Sequence, residues 1–177
     1  MRTRAFYILS LGLLACSSPR VASRTPDTAP ALTTIAASPG AVQASGVPQS
    51  VTDVLRATSS GITDQLRLVV RDSASWLDVW EQLTSNRRPA PAAPWIDFSD
   101  QIVVVTAMGT RRTTGYAVAV DSVVKEWQLL RVYVRSTVPG RGCIVGTGFT
   151  SPVHVVRIPR TYPVIFSEAV EQQPECR

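Results

Sequence analysis

The sequence predicts a mainly β domain with one short helix (α+β), an antiparallel sheet closed as a sandwich or a half-open barrel, after a disordered tether. Three observations predict it. All four Trp and every long β-branched run lie beyond residue 60. Apolar residues at helical spacing occur in one short stretch only, and residues 17–60 hold no aromatic residue. A chain of 177 residues has room for one ordinary core.

Residues 1–15 open with Met1-Arg2-Thr3-Arg4 and continue as an apolar run from Ala5 to Ala15, too short for a mature membrane helix and shaped as a secretory signal. The run ends in Leu13-Leu14-Ala15-Cys16, which resembles the lipobox of bacterial lipoproteins. That resemblance implies a lipidated Cys16 as the mature N-terminus, anchored by acyl chains without a spanning helix. Ser17 in place of Asp favours the outer membrane, so the expected location is the bacterial cell envelope, facing the periplasm or the cell surface. Residues 16–60 are expected to be the lipidated Cys and an Ala/Ser/Thr/Pro tether, because 17–60 carry five prolines and only five charges. Val51–Arg56 could form a weak helix, marginal at that length.

Residues 61–177 form the expected domain. Gln65–Arg71 reads as a first strand, with Asp72 or Ser73 as the cap of a helix that follows. Trp76, Val79, Trp80 and Leu83 fall at i, i+3, i+4 and i+7, one face of a helix ending near Ser85-Asn86. The two Trp are expected in the core rather than as a sugar-stacking platform. Ile102–Met108, Gly115–Val124, Trp127–Val138 and Val153–Ile158 are strand signals between Gly, Pro and charged turns, with a short final strand at Tyr162–Phe166. Leu130, Val132 and Val134 should face inward, and Arg131, Tyr133 and Arg135 outward.

Eighteen basic and 13 acidic residues give +5, and 17 of the basic ones are Arg, with Lys125 the one Lys. Removal of Arg2 and Arg4 with the signal leaves 16 − 13 = +3. The Arg residues are scattered, which argues against nucleic acid as a partner. No phosphate-cradling Gly loop, nucleophile elbow or two-Cys metal motif is present, so neither a cofactor nor a metal is expected. His154, the single His, sits mid-strand, where a structural or exposed role is the common one. With Cys16 lipidated, Cys143 and Cys176 are most simply a disulfide closing a 34-residue loop, worth roughly 4 kcal/mol in the chain-entropy model. A Cys143–His154 dyad would leave Cys176 unexplained. Asp97 and Asp100, with Glu81 or Asp78, could flank a sugar bond but read better as turn and cap residues. No catalytic residue is expected, and the chain is read as not an enzyme.

Residues 95–160 resemble the C-terminal domain of the PrcB family, named for a lipoprotein subunit of a secreted protease complex. The resemblance is carried by Trp95-Ile96-Asp97-Phe98-Ser99-Asp100, by Met108-Gly109-Thr110-Arg111-Arg112-Thr113-Thr114-Gly115-Tyr116, and by Thr150-Ser151-Pro152-Val153-His154-Val155-Val156-Arg157-Ile158-Pro159. Thr114 replaces a glycine of the family's usual turn. The resemblance implies a non-catalytic envelope lipoprotein whose β domain serves an exported protease or another envelope protein. Its partner-contact turn would be Arg111, Arg112, Thr113, Thr114, Gly115 and Tyr116. The same turn is similar to the inhibitory loop of chagasin-type cysteine-protease inhibitors, although Arg111-Arg112 stand where that family has Asn-Pro. Gly109 and Gly115 also suit an ordinary hairpin. A cell-wall glycan-binding module is the third reading, from the Trp content and from Tyr133, Arg131 and Arg135.

Overall fold

The computed structural model describes residues 46–173. Its strands are β1 (Val47–Pro48), β2 (Thr52–Ala57), β3 (Leu66–Val70), β4 (Gln101–Ala107), β5 (Arg111–Thr113), β6 (Ala117–Glu126), β7 (Leu129–Val138), β8 (Thr147–Thr150), β9 (Val153–Pro159) and β10 (Val164–Gln172), with α1 (Ser73–Thr84) between β3 and β4. They form one sheet of order β1-β6-β7-β10, a second of order β2-β9-β4-β3, and a two-stranded ribbon, β5-β8. The fold is mainly β, and its sheets form no closed barrel.

The helix starts where the sequence places it. The Asp72 carboxylate accepts the Ser75 N–H at 2.9 Å and the Ser75 hydroxyl at 2.9 Å, and those bonds hold its pKa below the ordinary carboxylate value. Trp76, Trp80 and Leu83 are buried on one side of α1, against Val103, Val105 and Ala107 of β4 and Val153 and Val155 of β9. Each indole is also satisfied: Trp76 Nε1 donates to the Pro94 carbonyl at 3.0 Å and Trp80 Nε1 to that of Pro91 at 2.8 Å. The Pro-rich loop after the helix is thereby tied to it.

The alternate residues of β4 and β9, Ile102, Val104, Val156 and Ile158, face the other way. They meet Val118, Val120 and Val123 of β6 and Leu130, Val132 and Val134 of β7. The inward alternation expected for Leu130, Val132 and Val134 is therefore the one observed, and helix, second sheet and first sheet stack as three layers.

Two boundaries differ from the sequence reading. The tether drawn to residue 60 is too long, because Thr52–Ala57 is a strand on β9 and Val47–Pro48 pairs with Val124 and Lys125. Val51, Val54 and Leu55 supply the apolar packing for this, so the segment is a strand rather than a weak helix. The final strand also runs on to Gln172, and it pairs with β7 in parallel, Val164↔Leu130 through Gln172↔Val138, in an otherwise antiparallel arrangement. Glu168 and Glu171 lie beyond the expected end of that strand. They are strand positions whose charges are answered by Arg67 and Arg135.

The sandwich has two ends of different character. At one, the β6–β7 hairpin, the loop before β10 and the start of β4 converge, joined by Leu130 N–H to Pro163 O and Arg160 N–H to Asp100 O, both 2.8 Å. At the other, Met108 N–H donates to Pro152 O at 3.0 Å and Thr110 N–H to Thr63 O at 2.8 Å, and from there the β5-β8 ribbon projects.

Candidate partner-binding site

The six residues of the expected contact turn all belong to the ribbon or its root. Gly109 (φ 73°) and Gly115 (φ 90°) take the left-handed conformations that a turn here requires. A Cβ at Gly109 would also stand 2.7 Å from the backbone of Thr63 and Asp64. Arg111 is half-buried, with its Nη2 donating to Met108 O at 2.9 Å and its guanidinium 5.7 Å from the centre of the Tyr116 ring. Its Nε is buried with no partner among the described residues. Arg112 is exposed, Thr113 O accepts the Thr150 hydroxyl at 3.0 Å, and Thr114 N–H donates to Gly146 O at 3.1 Å. The Gly146 N–H returns to the Thr114 hydroxyl at 2.8 Å. Thr114, in the place of a glycine, thus stitches the turn to the 139–148 loop. Tyr116 packs against the inter-sheet core.

What the sequence did not single out is the apolar content of the ribbon's second half. Ile144 is fully exposed and Phe149 is 77 % exposed. Arg112, on the paired strand β5, and Arg141, three residues before Ile144, are exposed as well. The signal was legible as apolar residues among Gly and Thr, a composition that offers them no core.

Behind the ribbon a cleft of about 720 Å³ runs along the first half of β6, lined in part by Arg56, Arg87, Tyr116, Val118 and Arg135. Next to it lies His154. The pairing of β2 with β9 slips between Asp53 and Leu55, so Asp53 and Arg56, three residues apart, both stand on the inter-sheet side beside Val156 and His154. His154 is wholly buried. Its Nδ1 accepts the Val120 N–H at 2.8 Å, which makes Nε2 the protonated nitrogen, and Nε2 donates to Asp53 Oδ1 at 2.9 Å. Arg56 Nη2 lies 3.2 Å from Nε2, and Arg56 Nε is 3.7 Å from Asp53 Oδ2. Burial holds the imidazole pKa below its ordinary value, the Asp53 bond opposes that, and the Arg56 charge reinforces it. Both ring nitrogens are committed, so neither is left to take a proton from a thiol or hydroxyl.

The remaining expected residues are placed as follows. Cys143 is not a free thiol. Its expected partner Cys176 lies outside the described residues, as do Cys16, the signal and most of the tether. Asp97 accepts the Ser99 N–H at 3.0 Å and the Ser99 hydroxyl at 2.6 Å, bonds that hold its pKa down, and its carbonyl receives the Gln101 N–H at 2.9 Å. It is a turn residue leading into β4. On the outer face of β7, Arg131 pairs with Glu126 at 2.9 Å and Arg135 with Asp121 and Glu171 at 2.8 and 3.0 Å. Among the described residues no three His, Cys, Asp or Glu stand together as a metal set.

Residues 102–159 match the family model described as PrcB C-terminal. No curated protein and no solved structure matches the chain. The matched segment runs from β4 to β9 and holds the ribbon, both of its loops and His154. The stretch from β4 to β9 is therefore the part of this chain that is similar to a PrcB C-terminal domain.

Proposed function

We propose that the protein is a non-catalytic, lipid-anchored envelope protein that presents its ribbon to a protein partner, as an accessory subunit of an exported protease complex. The observation that carries this reading is the exposure of Phe149 on a two-stranded projection rooted in two packed sheets, and of Ile144 in the loop that leads into it. Large apolar side chains held in water on a rigid support, with Arg112 and Arg141 exposed as well, are what a protein interface presents before its partner arrives. The PrcB match over the same segment supports an exported protease as the partner class. Lipidation of Cys16 and a Cys143–Cys176 bridge complete the reading: the first holds the chain at the envelope, and the second fixes the 139–148 loop in an oxidising compartment.

The test is cross-linking and affinity capture of the full chain from its native envelope, with Phe149→Ser/Ile144→Ser as the control. Enrichment of an exported protease that the double variant loses is the expected result. Capture that is unchanged in the variant overturns the ribbon as the contact. The bonding of Thr114 to Gly146 sets the turn against a glycine-containing loop and favours a second reading, a protease inhibitor working through Thr113–Tyr116. Added protein raises the captured protease's activity in the accessory reading and abolishes it in the inhibitory one.

A further inference from the structure

Two of the four Trp are buried, with their indole N–H groups bonded, and the other two are not buried. Trp127 is 94 % exposed and Trp95 79 %. Trp127 sits in the two-residue turn between Glu126 and Leu129, with φ at 53°. Turns of this kind favour Asn or Gly, and a bulky residue there costs on the order of 1–2 kcal/mol. The molecule thus holds its largest side chain in a strained position where folding gives it nothing to pack on. Trp95, on the segment leading into β4, belongs to the same end of the sandwich. So does Val47, 63 % exposed, which pairs with Lys125 two residues before Trp127.

We infer that this end of the domain rests on a lipid bilayer, with Trp127 and Trp95 at the headgroup level. Indole rings, apolar in body with one polar N–H, concentrate at that depth. The choice of a bilayer over a protein partner comes from chain direction. The first described residue, Gly46, precedes β1 at this very end, so the segment leading back to Cys16 joins the domain here rather than at the ribbon. An acyl anchor keeps the domain near the surface, so contact through two rings suffices without high intrinsic affinity. Charges of both signs lie close by, Lys125 and Arg160 against Asp97, Asp100 and Glu126, so attraction to anionic lipid is not the source. Docked this way, the domain turns its ribbon away from the membrane. The inference rests on the proposed anchor at Cys16.

The test uses the full acylated chain in phosphatidylcholine vesicles whose acyl chains carry bromine near the headgroup. Trp95→Phe leaves Trp127 as the exposed emitter over the buried Trp76 and Trp80. Expected are a blue shift of the Trp127 component on vesicle binding and loss of most of its emission to the bromines, both absent from Trp95→Phe/Trp127→Phe. Vesicle flotation with unquenched Trp127 overturns docking while the anchor stands. No acyl group on Cys16 by mass spectrometry overturns the anchor. Docking is then decided with the unacylated chain at high lipid, where quenching supports it and its absence overturns it. Trp127→Gly separates docking from a structural role, because φ 53° suits glycine. An unchanged or raised thermal midpoint with lost vesicle contact supports docking, and a large fall in the midpoint overturns it.

Discussion

The two apolar layers of this domain are built from opposite faces of the same two strands, and they close differently. On the helix side, Val103, Val105, Ala107, Val153 and Val155 meet Trp76, Trp80 and Leu83, with no ionisable group among them. On the other side, Ile102, Val104, Val156 and Ile158 meet β6 and β7, and the layer ends at His154, buried and bonded to Val120 and Asp53. The difference teaches what each contact is for. A helix can slide on a sheet with little change in buried area, so α1 is held by the shape of two indoles and two N–H bonds to the loop beyond it. Two sheets packed face to face need a fixed relative position, and a directional hydrogen bond from β6 to a side chain on β9 supplies it.

The comparison breaks most visibly on the helix side. Leu83 is fully buried at the centre of that layer, and Leu83→Ala should lower stability by about 2–5 kcal/mol through lost transfer energy and a cavity that the sheet cannot collapse into. Chemical denaturation measures this. A loss under 1 kcal/mol would mean that α1 is peripheral to the fold.

His154 sharpens the comparison, since its layer alone should respond to pH. Its pKa in the fold is lowered, so the unfolded chain takes up a proton near pH 6.5 that the folded chain resists. Stability is then complete above pH 6.5 and falls as pH drops from there toward the folded pKa. The groups facing the ring are Asp53 and Arg56 from β2 and the Val120 N–H from β6, with Asp121 at longer range. His154→Asn, whose side-chain oxygen can accept from Val120, should remove most of the slope between pH 7 and 5 at a cost of about 1–3 kcal/mol. Parallel curves for the two proteins would show that the pH response arises elsewhere.

Much of this was readable in the sequence, for definite reasons. The helix was legible because Trp76, Val79, Trp80 and Leu83 keep a 3.6-residue period behind a capping Asp72, and β7 because Leu130, Val132 and Val134 alternate without a break. The errors lay at the margins of the chain. Thr52–Ala57 carries a bulge at Asp53/Leu55 that destroys its period of two, and β10 places Glu168 and Glu171 where a strand normally shows apolar residues. The expected contact turn was legible as a motif, yet its stitching to Gly146, 32 residues away, and the exposure of Ile144 and Phe149 depend on the following loop. The His154 node was illegible for the same reason: Asp53 lies 101 residues from it.

A smaller effect belongs to the ion pairs at the surface, one between the two sheets and two within the first sheet. Arg67 on β3 grips Glu168 on β10 through two bonds of 2.6 and 2.9 Å, and its other nitrogen donates to the carbonyls of Leu66 and Ala107. The Arg135 pairs are more exposed. Glu168→Gln should cost on the order of 1 kcal/mol and Glu171→Gln less, with salt shrinking both. An equal loss for the two would mean that the bidentate geometry adds nothing.

The smallest effect on stability should come from the residues with the largest proposed role. Phe149 is 77 % exposed, so Phe149→Ser removes almost no buried surface and should leave the thermal midpoint within about 2 °C of the parent, since surface changes stay within roughly 0.5 kcal/mol. If the ribbon is the contact, that same change should weaken partner capture tenfold or more, the scale of an aromatic anchor lost from an interface. A stability loss above 1 kcal/mol would instead place Phe149 inside the fold's own energetics, and the ribbon would have to be read as part of the scaffold.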